Sequence, residues 1–315
     1  MIKENSMHKI WISLDTGIDD AFALILALKE KNIQIEGLSA TYGNVSLKNT
    51  FENTRNLLSY FNREDIKVYK GSDKPLVDEV VYGSDVHGKN GIGNVKLNKS
   101  KAIIEEESSF DTLYKKAKQL NGELELVMLG PNTDFANTYF KYPDIVKYIK
   151  NVYIMAGAIV GGNRTSQAEF NIHADPIASK VLFDSGLNII MAPLDVTMVS
   201  YFDEKEIDEL KHLNNKVGNL FKEMSMKILN FYKKSTGKNY FYFHDGCPIV
   251  YLNDESIFNT IDCGIKIETK GKLTYGKTVC DYDCDNTYNN NNAKCLISSD
   301  REKFVNHCFD IFKSY

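Results

Sequence analysis

Ile10-Trp11-Ile12-Ser13-Leu14-Asp15-Thr16-Gly17-Ile18-Asp19-Asp20-Ala21-Phe22-Ala23-Leu24 reads as a strand, a glycine turn and the start of a strongly apolar helix. Three carboxylates crowd that turn. In open parallel α/β sheets ligands bind beyond the carboxyl ends of strands, which is where Asp15, Asp19 and Asp20 fall. Charges this close repel, and protonation or a coordinated cation relieves them. An all-oxygen set without cysteine or histidine favours calcium or magnesium over zinc. A local alternative is helix capping, since the first-turn N–H groups have no intrahelical partners. Asp15 ends the strand ahead of the turn, where it would cap nothing. Ala21 to Leu28 is apolar on every face, as in a buried helix whose front end opens into a site. Asp-Thr-Gly after an apolar strand is also the aspartic protease motif, but those enzymes need two copies and this α/β pattern carries one.

The alternation continues outward. Apolar runs at Lys9 to Leu14, Ile33 to Ala40, Ile66 to Tyr69, Leu124 to Leu129, Val152 to Met155 and Leu187 to Met191 read as strands. Helical patterns at Asp19 to Lys29, Leu47 to Tyr60, Ile103 to Leu120, Thr133 to Tyr142 and Pro176 to Ser185 separate them. This order predicts an α/β fold with a mainly parallel sheet flanked by helices. Beyond Asp195 the chain turns helix-rich, at Glu204 to Leu210 and Asn214 to Lys233, which predicts a helical cap over about 200–245. A hairpin of Cys263 to Thr269 with Leu273 to Val279 and a closing helix from Asp300 to Phe312 complete the pattern. No Pro/Gly/Ser-rich linker divides the chain, so residues 1–315 read as a single domain.

With 315 residues, 43% hydrophobic and 25% charged, the composition is globular. A net charge of −4 offers no positive field for phosphate backbones, so no nucleic-acid partner is expected. No apolar stretch near the start approaches the roughly 20 residues of a membrane span, and Met1 to Lys9 lacks the apolar core of an export signal; a cytoplasmic protein is expected. All six cysteines fall after residue 246 and read as reduced thiols. Cys280 and Cys284, without a second pair or a histidine, make only a weak zinc site. Asn289 to Asn292 reads as a mobile surface loop.

Further motifs follow in order: Thr41-Tyr42-Gly43-Asn44-Val45, Gly71-Ser72-Asp73-Lys74-Pro75-Leu76, His87-Gly88-Lys89-Asn90-Gly91-Ile92-Gly93, Leu129-Gly130-Pro131-Asn132-Thr133-Asp134, Met155-Ala156-Gly157, Ala168-Glu169-Phe170-Asn171-Ile172 with Asp175-Pro176, Pro193-Leu194-Asp195-Val196-Thr197, and His244-Asp245. Together with the aspartate motif, this set resembles the nucleoside hydrolases of the inosine/uridine-preferring type across most of the chain. The resemblance implies hydrolysis of the N-glycosidic bond of a purine or pyrimidine ribonucleoside, as in base salvage, on a Rossmann-like fold with a bound Ca2+, in a homodimer or homotetramer. It implies that Asp15, Asp20, Asp245 and the Leu129 carbonyl hold the calcium, and that Asp15 accepts a proton from the calcium-bound water. Asp19, Asn44, Asn163, Glu169 and Asn171 hold the ribose hydroxyls. Such groups suit an oxocarbenium-like transition state, and a metal lowers the pKa of the attacking water.

His244 resembles the histidine that protonates the leaving base, and an ordinary imidazole pKa of about 6.5 suits that task. Tyr240 and Tyr242, in Tyr240-Phe241-Tyr242-Phe243, resemble aromatic residues that cover the base, or else fill the interior of the helical cap. His87 either faces the base or shapes its glycine-rich loop. Ser13 stands where the family has an aspartate, Asp134 where it has asparagine, and Thr16, Ala156 and Gly246 replace a proline, a glycine and a proline. Ser13 motivates a second reading, a nucleoside- or ribose-binding protein without turnover. A metal-dependent phosphohydrolase is the third, weakened by the absence of a G-x-x-x-x-G-K phosphate cradle.

Overall fold

A computed structural model of the chain describes residues 7–282 and 291–315. β1 (His8–Leu14) is buried on both faces, with Ile10, Ile12 and Leu14 in one core and Trp11 in the other. A strand covered on both sides reads as an almost continuous apolar run, which is why its pattern stands out in the sequence. From it the chain winds through α1 (Ile18–Lys29), β2 (Ile33–Ala40), α2 (Leu47–Tyr60), β3 (Val68–Lys70) and the short α3 (Ser84–His87). It continues as α4 (Ser109–Leu120), β4 (Leu124–Met128), α5 (Thr133–Lys141), β5 (Ile149–Met155), α6 (Phe170–Ala174), α7 (Pro176–Phe183), β6 (Ile189–Ala192) and α8 (Leu194–Thr197). The rest comprises β7 (Tyr201–Phe202), α9 (Glu204–Lys211), α10 (Lys216–Thr236), β8 (Phe241–Tyr242), α11 (Gly246–Asn253), β9 (Phe258–Ile267), β10 (Thr278–Asp281), β11 (Ala293–Ser299) and α12 (Arg301–Lys313).

Among the described residues nine strands form one sheet in the order β10-β9-β11-β6-β5-β4-β1-β2-β3. From β3 to β6 and on to β11 neighbours run parallel, and β9 and β10 are antiparallel additions. The run 3-2-1-4-5-6 reverses between β1 and β4, so a crevice opens at their carboxyl ends. Side chains of α1, α2, α10, α11 and α12 fill one face, and those of α4, α5 and α7 the other. This is the mainly parallel α/β architecture the alternation predicts.

Region 200–245, read as a helical cap, is bounded by a ribbon in which Tyr201 and Phe202 of β7 pair with Tyr242 and Phe241 of β8. Between them α10 lays Phe221 edge-on against Phe22 of α1, ring centroids 5.2 Å apart. The helix expected from Ile103 begins only at Ser109. Ser108 caps it by accepting the Asp111 N–H, and Ile103 and Ile104 point to solvent. The hairpin is displaced as well, since β9 runs to Ile267 and β10 starts at Thr278, leaving Leu273 in the connecting turn and exposed. α11 and β11 have no counterpart in the sequence pattern. Asn292, placed in a mobile loop by sequence, donates its amide to the Phe183 and Ile265 carbonyls at 2.7 and 3.0 Å. Asn289, Asn290 and Cys284 lie outside the described residues.

Candidate active site

The turn between β1 and α1 lies at the switch point, and its carboxylates are buried. Asp20 reaches back to accept the Gly17 N–H at 2.8 Å and the Asp15 N–H at 3.2 Å, so the capping reading holds for this side chain. Capping leaves the rest of the cluster unexplained. Asp15 accepts the Asn44 N–H at 2.6 Å on Oδ2. Its Oδ1, and Oδ1 of Asp19, are buried without a hydrogen-bond partner. Asp245 enters from just ahead of α11, which packs against α1. Oxygens of Asp19, Asp20 and Asp245 all lie within 4.8 Å of one another.

Burial first, and repulsion by neighbouring carboxylates second, pushes Asp15 and Asp245 far above the ordinary range and Asp19 to about 8, whereas burial alone raises Asp20, against the hydrogen bonds it accepts. Four buried acids, two of them with an orphaned oxygen and no cationic side chain among them, fit a hard divalent cation. The trio includes Asp19 in place of Asp15, which the resemblance assigned to the metal.

Beside them opens a cavity of about 300 Å³, at the lower end of the roughly 300–1,000 Å³ typical of small-molecule sites. Asp15, Asp19, Asn44, His87, Leu129, Asn163, Glu169, Asn171, His244 and Asp245 all line it. Glu169 accepts the N–H groups of Gly157, Asn171 and Ile172 at 2.9, 2.8 and 3.1 Å, yet burial still raises its carboxyl to about 7. Asn171 donates its amide to the Leu129 and Met155 carbonyls at 2.8 and 3.0 Å, leaving the second lone pair of the Leu129 oxygen free. Asn163, exposed at the rim, accepts the Phe170 N–H at 2.8 Å.

Other motif residues build the frame. Asp175 accepts from Leu76 N–H, Thr133 hydroxyl and Ala178 N–H, and Asp195 from Ile159 and Val160 N–H, which fixes the loops around the cavity.

Both histidines are neutral by burial. His87 Nδ1 accepts the Ile18 N–H at 3.0 Å, so its proton sits on Nε2, and desolvation takes it down to about 3. Its approach of 3.8 Å to Asp19 is therefore no ion pair. His87 thus closes the α1 N-terminus and lines the cavity at once. His244 stands between Thr197 Oγ1, 2.7 Å from Nδ1, and Tyr232 Oη, 2.9 Å from Nε2. Burial lowers it to about 4, well below the ordinary value assumed from sequence.

Tyr240 and Tyr242 do not line the cavity. Tyr240 stacks on Tyr201 at 4.1 Å, and Tyr242 is buried behind His244 with ring centroids 6.0 Å apart. The aromatic wall comes from Phe231 and Tyr232 of α10, with Met198 and Phe170. Tyr232 escaped the sequence reading because its helical spacing gives no sign of the hydroxyl it sets against a histidine twelve residues on.

Residues 10–306 match the family described as inosine-uridine preferring nucleoside hydrolase. The chain belongs to that family and is an N-glycosyl hydrolase acting on nucleosides. Among its relatives is the pyrimidine-specific ribonucleoside hydrolase RihA of Salmonella enteritidis, 32% identical over 94% of this chain and 95% of the relative. A solved plant nucleoside hydrolase, the PpNRh1 enzyme, superposes with a TM-score of 0.92 at 26% identity over 98% of this chain and 99% of that one. A purine-preferring ribonucleoside hydrolase from Gardnerella vaginalis superposes at 0.91 with 28% identity over 97% of this chain and 98% of that one. Among the described residues no helix is long and apolar enough to cross a membrane.

Proposed function

We propose that the protein hydrolyses purine and pyrimidine ribonucleosides with the help of a calcium ion held by Asp15, Asp20, Asp245 and the Leu129 carbonyl. The observation that carries this reading is the buried carboxylate cluster at the cavity end, with free oxygens on Asp15 and Asp19. Bound there, the ion supplies positive charge that lowers the pKa of water in contact with it. Asp15 takes the proton of the attacking water on Oδ1, and the Asn44 N–H on its Oδ2 holds the carboxylate in orientation. Asp19, Asn44, Asn163, Glu169 and Asn171 grip the ribose hydroxyls and offset the charge that builds on the sugar as the bond breaks.

At the other end His244 serves the departing base through Tyr232, whose hydroxyl sits on Nε2 and faces the cavity, while Thr197 holds Nδ1. His87 offers its Nε2 proton, and Phe231 and Tyr232 supply the apolar wall. A homodimer or homotetramer is the assembly this reading carries.

The test is release of free base and reducing sugar from inosine, uridine and cytidine by calcium-loaded protein, with Asp15→Ala as the inactive control. Absence of turnover on all three overturns it, and ribose binding without turnover favours the binding-protein reading.

A further inference from the structure

Three thiols converge on one face of the sheet, away from the cavity lining. Cys263 lies on β9, Cys280 on the edge strand β10 and Cys295 on β11. Cys263 sits opposite Ala293 and Cys280 opposite Ile265, so the two-residue alternation of a strand turns all three side chains the same way. The sulfur atoms of Cys263 and Cys295 are 2.8 Å apart, inside the roughly 3.5–4.0 Å of ordinary non-bonded contact. Both are fully buried, whereas Cys280 is half-buried.

The neighbouring Cys263 and Cys295 thiols, and after them the charge of Lys277, draw the Cys280 thiol down to about 4. Those two thiols move the opposite way, Cys263 up to about 12 and Cys295 upward too. The set is one accessible thiolate backed by two buried thiols, the microenvironment of a reactive cysteine.

We propose that Cys280, Cys263 and Cys295 form a thiol–disulfide exchange site for small disulfides of the glutathione type, Cys280 being the entry and Cys263–Cys295 the bridge produced. The Cys280 thiolate attacks one sulfur of glutathione disulfide, and the first glutathione leaves as a thiolate. Cys263 then attacks Cys280 Sγ and expels the second glutathione. Cys295 attacks Cys263 Sγ, closes the Cys263–Cys295 bond and releases Cys280, the best leaving group of the three because its thiolate is the most stable. The protons of Cys263 and Cys295 pass to the two departing glutathione thiolates. Two protein thiols are oxidised and one glutathione disulfide is reduced to two glutathione thiols. Diagonal neighbours on paired strands have Cα atoms about 7–8 Å apart, beyond the roughly 4.4–6.8 Å usual for a disulfide, so the bridge forms only as β9 and β11 shift towards each other, and excess reduced glutathione reopens it.

The experiment treats the folded full-length protein with glutathione disulfide, alkylates remaining thiols and maps the peptides. The expected product is a Cys263–Cys295 bridge, lost again in reduced glutathione. Cys280→Ala slows its formation about tenfold or more, and Cys263→Ala combined with Cys295→Ala traps one glutathione on Cys280. If that double variant does not fold, the wild type and Cys280→Ala decide. No bridge in the wild type, a Cys280–Cys284 bridge in its place, or an unchanged rate in Cys280→Ala overturns the proposal.

Discussion

Ser13 and Asp134 border the same small buried void, about 10 Å³, between β1 and α5, and each keeps one buried oxygen without a hydrogen-bond partner. The motif pattern the chain resembles has an aspartate at the place of Ser13 and an asparagine at that of Asp134, which implies a carboxylate moved from one side of this void to the other. We expect Ser13→Asp to set two buried acids against each other and to cost about 2–4 kcal/mol. Adding Asp134→Asn should recover about 1 kcal/mol or more through their coupling. Urea unfolding of the four proteins measures this, and strictly additive effects would refute the exchange.

Gly130 flanks Asp15 so closely that a Cβ there would stand 2.6 Å from Asp15 Oδ1. Gly130→Ala must therefore push the carboxylate aside. A misplacement of about 1 Å in a reacting group costs on the order of 10²-fold. We expect kcat to fall by that order while the melting temperature barely changes; an enzyme with unaltered kcat would show that Asp15 is not the proton acceptor.

The carboxylate cluster makes cation binding a stability effect. At a calcium concentration about 100 times Kd the folded state gains about 2.7 kcal/mol by mass action. Chelation should abolish turnover and lower Tm, calcium should restore both, and Asp245→Asn should erase the calcium-dependent rise. A Tm indifferent to calcium in the wild type contradicts the assignment.

Glu169 is raised to about 7 in the folded protein by burial, against 4.5 for an ordinary glutamate. The folded state then holds a proton that the unfolded chain has released, so this group's contribution to stability falls as pH rises from 4.5 to 7. The loss is on the order of 3 kcal/mol at most. Glu169→Gln should flatten that part of the stability profile and raise KM, and parallel profiles for the two proteins would rule out Glu169 as the source.

Tyr232 holds His244 Nε2 at 2.9 Å and faces the cavity. Tyr232→Phe keeps the ring packed on Tyr242 but removes the hydroxyl. We expect kcat to drop about tenfold or more, with KM changed far less. An effect on KM alone would make the tyrosine a wall and nothing more.

The first six strands and α1 are legible because β1 to β6 are apolar runs between polar turns, and Asp15, Asp19 and Asp20 are adjacent in sequence. Tertiary pairing hid the rest. α11 is apolar all round, from Cys247 to Leu252, so it has no periodic face to read. β11 declares itself only by lying between β6 and β9. Ile103 and Ile104 imitate a helical stripe ahead of Ser108, yet the cap at Ser108 starts the helix later. Its place beside Asp245 marks His244 as a candidate, but not that burial holds it neutral. Tyr242 packs against His244 from outside the cavity, and the tyrosine that lines it is Tyr232 of α10, a relation set by how α10 crosses β8.

Asp245 arrives 225 residues after Asp20, carried by a helix that packs against α1. During synthesis the first three aspartates emerge long before their remote companion. A nascent chain short of that point carries acids that water can still solvate, and it has no complete grip for an ion. Electrostatic strain thus reaches its full extent only when Asp245 joins the first three, and completing an ion's grip becomes a late step that a truncated chain never reaches.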